Sequence, residues 1–280
     1  MKMKRSEKLG MFTGLVVGVL LLLISVFMIF QTTCKVWGAE KPANATQQGI
    51  DVSSHQGKID WEQVKNSALA DYAIIRCGYG VNQTDKDDKY WDYNSSECER
   101  LGIPYGTYLY SGADTTAKAK SEAEHVVRLL QGKNLTYPIY YDMEADMLNQ
   151  LSSTQIGNIA KTFLNTMESY GYKNVAVYSN KYLFETKLTA SVFSDYPKWI
   201  AQHSNKCTYQ GSYHMWQYST QGVIPGISEK VDLNYKIGNW TYAGYSSAKK
   251  TVVVKPKATT IKSLRKSGKK AVKITYKKVS

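Results

Sequence analysis

Cysteine and histidine are scarce in this chain, which has four of each among 280 residues. The spacing of the cysteines, at positions 34, 77, 98 and 207, matches no metal-binding signature. The histidines, at positions 55, 125, 203 and 214, form no ligand pair, so we expect no metal and no other cofactor. Cys77 falls on a predicted strand and Cys98 on the next predicted helix. The two either form a disulfide or remain free buried thiols.

Acidic residues are absent from the last part of the chain. Residues 249–280 contain twelve bases and no acid, and residues 1–9 contain four bases and one acid. The segment between them holds 20 bases against 22 acids, so the overall charge of +13 comes from the two ends. The near-neutral centre shows no nucleic-acid-binding motif, and we therefore expect no nucleic acid partner.

Charged residues are also absent from residues 11–30, which are rich in Leu, Val, Ile and Phe. That length spans a bilayer as a helix and exceeds the usual apolar region of a cleaved signal peptide. We predict a transmembrane signal-anchor at residues 10–31, with the basic residues 1–9 in the cytoplasm and the rest outside. Cleavage near Val36-Trp37-Gly38, which would give a secreted protein, is the alternative. Residues 32–47 are polar and are predicted to be a linker.

Regular alternation of strands and helices begins at residue 48. Strands are predicted at 49–53, 72–77, 104–110, 137–143, 174–178, 199–202, 213–218 and 231–235. Helices are predicted from residue 60, where Asp60 is the expected N-cap, and at 90–101, 115–130, 154–170 and 181–185. This order indicates parallel β/α units that close with plain strands. The fold class is therefore α/β, with a flattened (β/α)5β3 TIM-like barrel over residues 48–242.

Residues 249–280 change character, because Lys and Thr alternate there with Val and Ile. The pattern predicts two short strands, at 251–254 and 271–276. A stretch of about 30 residues is too short for a β-sandwich of roughly 100 residues. We expect the chain to stop inside a small β-domain.

Two carboxylates, Asp142 and Glu144, stand at the end of the apolar segment 137–141. Residues at i and i+2 of a strand face the same side, roughly 6–7 Å apart. Two acids that share a site have pKa values that are pushed apart, which keeps one proton available near neutral pH. Together with Asp51 they fall at carboxyl ends of strands, where barrel enzymes carry their chemistry.

Four segments occur in a characteristic order. They are Gly49-Ile50-Asp51-Val52-Ser53-Ser54-His55-Gln56-Gly57, then Tyr141-Asp142-Met143-Glu144, then Trp199-Ile200-Ala201-Gln202, and finally Trp216-Gln217-Tyr218-Ser219 with Val231-Asp232-Leu233-Asn234. Over about residues 48–240 this pattern resembles the glycoside hydrolase family 25 lysozymes, the Chalaropsis-type muramidases. The resemblance implies a flattened barrel of eight strands and five helices. It also implies hydrolysis of the β-1,4 bond between N-acetylmuramic acid and N-acetylglucosamine. The basic tail resembles the start of a fibronectin type III-like repeat.

The resemblance implies roles for four acids. Glu144 is the expected general acid, with a pKa raised by Asp142 and by partial burial. Asp142 is expected to assist through the 2-acetamido group of the substrate. Asp51 and Asp232 are expected to shape the electric field and to bind the substrate.

Aromatic and amide side chains near strand ends are the candidate sugar contacts, with core packing as the alternative for each. They are Tyr110, Tyr178, Trp199, Gln202 and Gln217. His55 is expected to be a hydrogen-bonded loop residue. His203 stands where relatives are expected to carry an aromatic residue.

We therefore predict a monomeric, membrane-tethered muramidase that faces outward. Its expected partners are the glycan strands of peptidoglycan, the membrane, and anionic wall polymers that the basic tail attracts. The first alternative is a non-catalytic wall-binding protein that keeps the barrel. The second is another polysaccharide hydrolase of the chitinase-like type.

Overall fold

The computed structural model describes residues 39–240 and two later strands, Ile261–Lys266 and Val272–Tyr276. The predicted membrane segment at residues 10–31 lies outside these residues. Within the part that is described, no helix has both the length and the apolar character needed to cross a bilayer.

Eight strands form a closed barrel, in which each strand pairs with the next one in sequence and the eighth closes onto the first. They are β1 Ala45–Val52, β2 Tyr72–Tyr79, β3 Tyr105–Tyr110, β4 Ile139–Asp142, β5 Val175–Asn180, β6 Lys198–Ala201, β7 Met215–Gly222 and β8 Val231–Ile237. The pairs from β1 to β7 are parallel, whereas β8 runs antiparallel to both of its neighbours. The predicted α/β barrel is confirmed.

The helices cover the outside of the barrel. They are α1 Trp61–Ser67, α2 Trp91–Leu101, α3 Thr116–Leu129, α4 Ser153–Ser169, α5 Lys181–Thr186 and α6 Val192–Asp195. The first five match the prediction, and the Asp60 side chain accepts a hydrogen bond from the Gln63 N–H at 3.1 Å, as an N-cap should. The single-turn α6 was not predicted, because four residues are too few to show a helical period.

β1 starts earlier than the prediction of residue 49. Its first residues are polar and partly exposed, and they pair with β8 alone, since pairing with β2 begins only at Gly49. A partly exposed strand segment that pairs on one side only needs no apolar side chains, so the hydrophobic pattern does not reveal where β1 begins.

Aromatic side chains fill the inside of the barrel. Tyr140 packs edge-on against Trp199, with ring centroids 4.9 Å apart, and both side chains are almost fully buried. The Tyr72 ring fills the space at Gly49, where a Cβ would lie only 2.4 Å from it. The inside of the barrel is thus filled by packed side chains, and a substrate site can form only at the carboxyl ends of the strands.

The later strands, β9 Ile261–Lys266 and β10 Val272–Tyr276, pair antiparallel and belong to a separate compact unit. β10 confirms the strand predicted at 271–276. The strand predicted at 251–254 lies outside the described residues, and the partner of β10 is found at 261–266 instead.

Cys77 and Cys98 are separate buried thiols and form no disulfide with each other. Both side chains pack in the apolar interior, where free cysteine behaves as a small hydrophobic residue.

Candidate active site

Carboxyl side chains from three strands converge at the open end of the barrel. Asp51 ends β1 next to Asp232 of β8, since the two residues are partners in the strand register. Asp142 ends β4, and Glu144 follows two residues later. The charge of Asp51 raises the pKa of each of the other three acids, so the structure brings all four predicted residues into one site.

Asp51 and Asp232 form the first pair of this site. The Gln217 side-chain N–H donates to both carboxylates, at 3.0 Å from Oδ2 of Asp51 and 3.3 Å from Oδ2 of Asp232. Burial raises the pKa of Asp51 to about 6, although hydrogen bonds from Asn234 and Gln217 oppose the rise. Burial, and then the charge of Asp51, raises the pKa of Asp232 to about 8. Asp51 therefore ionises first, and Asp232 retains its proton near neutral pH.

Asp142 and Glu144 form the second pair. Asp142 is buried, and among residues 39–240 its Oδ1 has no hydrogen-bond partner. Burial raises the pKa of Asp142 well above its usual value, and the charges of Glu144 and Asp51 raise it further, while Arg76 opposes the rise. The less buried Glu144 also has a raised pKa, owing to burial and then to Asp51. The pKa of Glu144 is thus raised, as expected, and the mutual repulsion between Glu144 and Asp142 adds to the rise in the pKa of Asp142.

Burial favours the neutral form of Asp142 more strongly than that of Glu144, since Asp142 is the more buried of the two acids. A carboxyl that loses its hydration without gaining a partner favours the neutral form. A hydrogen-bond donor placed against Oδ1 would reverse this preference, because it stabilises the charged form.

Gln217 of β7 connects the acids to the surrounding side chains. Its Oε1 accepts hydrogen bonds from the Tyr178 hydroxyl and from Nε2 of His203, both at 3.0 Å. With the two carboxylates on its nitrogen, the amide uses all of its donors and acceptors. It follows that His203 carries a proton on Nε2, since Oε1 can only accept.

The predicted sugar contacts lie at different depths. Tyr110 is half-buried beside Asp142, its register partner on β4, and the charges of Asp142 and Glu144 add to the burial that raises its pKa. Tyr178 lies deeper and contacts Trp199, whose side chain is only 1 % exposed. Gln202 lies in the loop after β6, where its side chain hydrogen-bonds the Oγ1 and the backbone N–H of Thr208. The structure brings Tyr110, Tyr178 and Gln217 to the acids, whereas Gln202 holds its own loop and Trp199 lies beneath the site.

Two residues of the site were not singled out from the sequence. Asn234 donates from Nδ2 to Oδ2 of Asp51 at 2.7 Å and accepts a bond from the Trp199 indole at 2.8 Å. Arg76 of β2 faces the inside of the barrel, and Asp88 and Ser54 hold its guanidinium. Asn234 stood inside a quoted motif, but no signal connected it to Asp51, which lies 183 residues earlier. His55 lies exposed on a single turn, Ser54–Gln56, as expected of a loop residue.

In the described part of the chain, no group of three or more His, Cys, Asp or Glu side chains is arranged to hold a metal ion. What the site offers chemically is a set of carboxyls that differ in burial and hence in protonation.

Comparisons with known proteins identify the kind of molecule that carries such a site. The model of the glycosyl hydrolases family 25 matches residues 50–227. The autolytic lysozyme of Clostridium acetobutylicum is 30% identical over 188 residues, which cover 67% of this chain and 55% of that protein.

Solved structures give the same result. The modular autolysin LytC from Streptococcus pneumoniae, in complex with synthetic peptidoglycan ligand, is 33% identical with a TM-score of 0.61, over 68% of this chain and 46% of that one. A family 25 glycosyl hydrolase from Bacillus anthracis is 21% identical with a TM-score of 0.63, over 72% of this chain and 94% of that one, and shows likeness of fold. The chain thus spans about half the length of the autolysin and of the clostridial lysozyme.

Proposed function

The chain belongs to glycosyl hydrolases family 25, and from this membership we propose that it is a lysozyme acting on peptidoglycan. It would cleave the β-1,4 bond between N-acetylmuramic acid and N-acetylglucosamine. The observation that carries the proposal is the buried Oδ1 of Asp142 at the open end of the barrel, which has no hydrogen-bond partner in the described part of the chain. A buried polar atom without a partner costs about 1–3 kcal/mol, which a bound substrate group can recover.

We propose that this substrate group is the N–H of the 2-acetamido substituent. Its hydrogen bond to Asp142 favours the ionised carboxylate, and the resulting negative charge favours a proton on Glu144. Substrate binding thereby shifts the proton from Asp142 toward Glu144, where it is needed.

The reaction then proceeds in two steps. The acetamido oxygen attacks the anomeric carbon while Glu144 protonates the leaving glycosidic oxygen, which gives a cyclic oxazolinium intermediate. Glu144, now a carboxylate, takes a proton from a water molecule that attacks the same carbon and opens the ring. This route retains the β configuration, and an inverted first product observed by NMR would exclude it.

Replacing the proton donor tests the catalytic assignment. Glu144→Gln keeps the shape of the side chain but cannot donate a proton, so we expect wall hydrolysis to fall by about 10²- to 10⁴-fold. The measurement is the clearing of turbidity in suspensions of purified cell walls. Asp146→Asn is the matched control, because Asp146 is an exposed acid two residues further on, and it should keep wild-type activity.

The two alternatives give different results in the same assay. Equal clearing by wild type and Glu144→Gln would remove Glu144 from the mechanism, and walls that are bound but never cleared would indicate a non-catalytic wall-binding protein. A chitinase-like specificity would release new glucosamine reducing ends. New muramic acid ends support the proposed activity.

We also propose that the barrel works outside the cytoplasmic membrane. The proposal rests on the uncharged residues 11–30 and the basic residues 1–9 before them. Mass spectrometry of the mature protein distinguishes an anchored chain, which retains residues 1–9, from a secreted one that has lost them.

A further inference from the structure

We propose that Tyr79, with Tyr110 beside it, forms a platform on which a sugar unit next to the cleaved one stacks. The inference rests on the proposed function, because it presupposes that the site binds a glycan strand. It adds a binding residue that the sequence pattern did not indicate.

Tyr79 is exposed at the end of β2. In the described part of the chain, four large hydrophobic side chains are exposed, and Tyr79 is one of them at 43%. A single exposed aromatic residue is common on protein surfaces and proves nothing alone. Two further features distinguish Tyr79, namely the face of the barrel on which it lies and the loop residues that contact its ring.

A β-bulge turns Tyr79 toward the open end of the barrel. Arg76 is the register partner of Tyr108 on β3, whereas Gly78 partners Leu109 and Tyr79 partners Tyr110, so β2 contains one extra residue at position 77. Without the extra residue, strand alternation would place residue 79 on the outer face of the barrel. With it, Tyr79 shares the face of Tyr110, as bulges beside active sites often re-aim a side chain.

The surroundings of Gly78 confirm which way the strand faces. A Cβ at this position would lie 2.8 Å from the carbonyl oxygen of Lys86 and 2.9 Å from a ring carbon of His125 on α3. Residue 78 therefore faces the helical layer, and no residue larger than glycine fits there. Residue 79 consequently faces the opposite side, which is the substrate side.

The loop that follows holds the Tyr79 ring in place. Lys86 Nζ lies 5.8 Å from the ring centroid, and the Gly80 N–H donates to the Tyr110 carbonyl oxygen at 2.9 Å. Asp87 secures this loop to α3 through His125 at 2.7 Å and through Arg128. An aromatic ring that is already fixed loses little conformational freedom when a ligand stacks on it.

The position of Tyr79 sets which sugar it would contact. β2 lies two strands from β4, or about 10 Å at a spacing of about 4.8 Å per strand, with Tyr110 of β3 between them. Tyr79 is thus offset by about two strand spacings from Asp142, toward a sugar unit next to the one that is cleaved. A flat tyrosine ring at this distance suits the apolar face of a neighbouring pyranose. The Tyr79 hydroxyl lies 3.5 Å from the carbonyl oxygen of Asp85 and donates to it.

The experiment separates stacking from chemistry by a KM-against-kcat comparison on long, soluble, uncrosslinked glycan strands. Tyr79→Ala should raise KM by about 2- to 12-fold, the range for the loss of one aromatic contact, and leave kcat unchanged. Tyr79→Phe should keep the wild-type KM, since the ring remains. The matched control is Tyr196→Ala. It removes a partly exposed tyrosine just before the amino end of β6, at the opposite end of the barrel from the site.

Binding without turnover gives the second measurement. In the Glu144→Gln background, Tyr79→Ala should weaken binding of the same strands by the same factor, measured by calorimetry. An unchanged KM and an unchanged affinity would overturn the inference, as would an equal loss in Tyr79→Phe, because either result denies a role to the ring. These outcomes leave the proposed function intact as long as wild type clears walls and Glu144→Gln does not.

Discussion

Gln217 connects the two acidic pairs of the site. Its amide contacts both acids of the first pair and also the Tyr178 hydroxyl, which lies next to the second pair. Its orientation is fixed because the ionised Asp51 can only accept, so the amide nitrogen faces the acids and the amide oxygen faces the Tyr178 hydroxyl. A side chain with every hydrogen bond used is better suited to hold the acids apart than to bind a sugar.

The raised pKa of Asp232 has a consequence for stability. Its pKa is about 8 in the folded protein and close to 3.8 in the unfolded chain, so between these values the unfolded chain releases a proton that the folded protein retains. The contribution of Asp232 to stability therefore falls as the pH rises from about 4 to about 8.

Removing this carboxyl should stabilise the protein at high pH. Asp232→Asn cannot ionise, and its amide can still donate to Asp51, so we expect Tm at pH 8 to rise by at least about 2 °C over wild type. The gain should shrink toward pH 4, because the unfolded wild-type chain regains its proton as the pH approaches the unfolded pKa. Calorimetry at the two pH values is the measurement, and the exposed Asp146→Asn is its control. An equal loss of Tm at both values would contradict the prediction.

At the level of helices and strands, α3 anchors the ends of β3 and β4 next to Asp142 and Glu144. The buried carboxylate of Glu122 accepts hydrogen bonds from the Gly112 N–H at 2.8 Å and from the Tyr141 hydroxyl at 2.6 Å, and the Ser111 hydroxyl lies 2.9 Å away. Tyr141 immediately precedes Asp142, so this contact fixes the end of β4 where it reaches the acidic site.

Loss of this anchor should be costly. Glu122→Ala removes the acceptor of the buried Tyr141 hydroxyl and of the Gly112 N–H, and we expect the free energy of unfolding to fall by about 3 kcal/mol. Tyr141→Phe removes a single hydroxyl and should cost about 1 kcal/mol. Urea unfolding measures both variants. Glu124→Ala, on the same helix but partly exposed, should stay within about 0.5 kcal/mol of wild type, and an equal effect there would refute a specific role for Glu122.

The sequence was sufficient to predict the strands and the acids, but not the contacts among them. Buried parallel strands are continuous apolar runs, and Asp51 and Asp142 mark their carboxyl ends, so both are visible in a linear reading. Asn234 and Arg76 were missed because their partners are distant in sequence. Tyr79 was missed because period-two alternation assigns it to the outer face, and only the register with β3 reveals the extra residue.

At the scale of the whole molecule, charged residues are distributed unevenly along the chain. The segment between residues 9 and 249 has a net charge of −2, whereas residues 249–280 carry twelve bases without an acid. The barrel presents carboxyls to its substrate, and it gains nothing from electrostatic attraction to an anionic wall. We propose that the tail supplies this attraction and keeps the barrel near its substrate.

Salt should therefore weaken wall binding without changing the chemistry. The screening length falls from about 10 Å at 0.1 M salt to about 3 Å at 1 M, so the Glu144→Gln protein, in which we expect hydrolysis to be slow, should be released from walls over this range. Replacing the twelve bases of residues 249–280 by glutamine should reduce binding at low salt and remove its salt dependence. Co-sedimentation with purified walls is the measurement. Walls stripped of their anionic polymers serve as the control, and if they bind the unaltered tail as strongly as intact walls do, these polymers are not its partner.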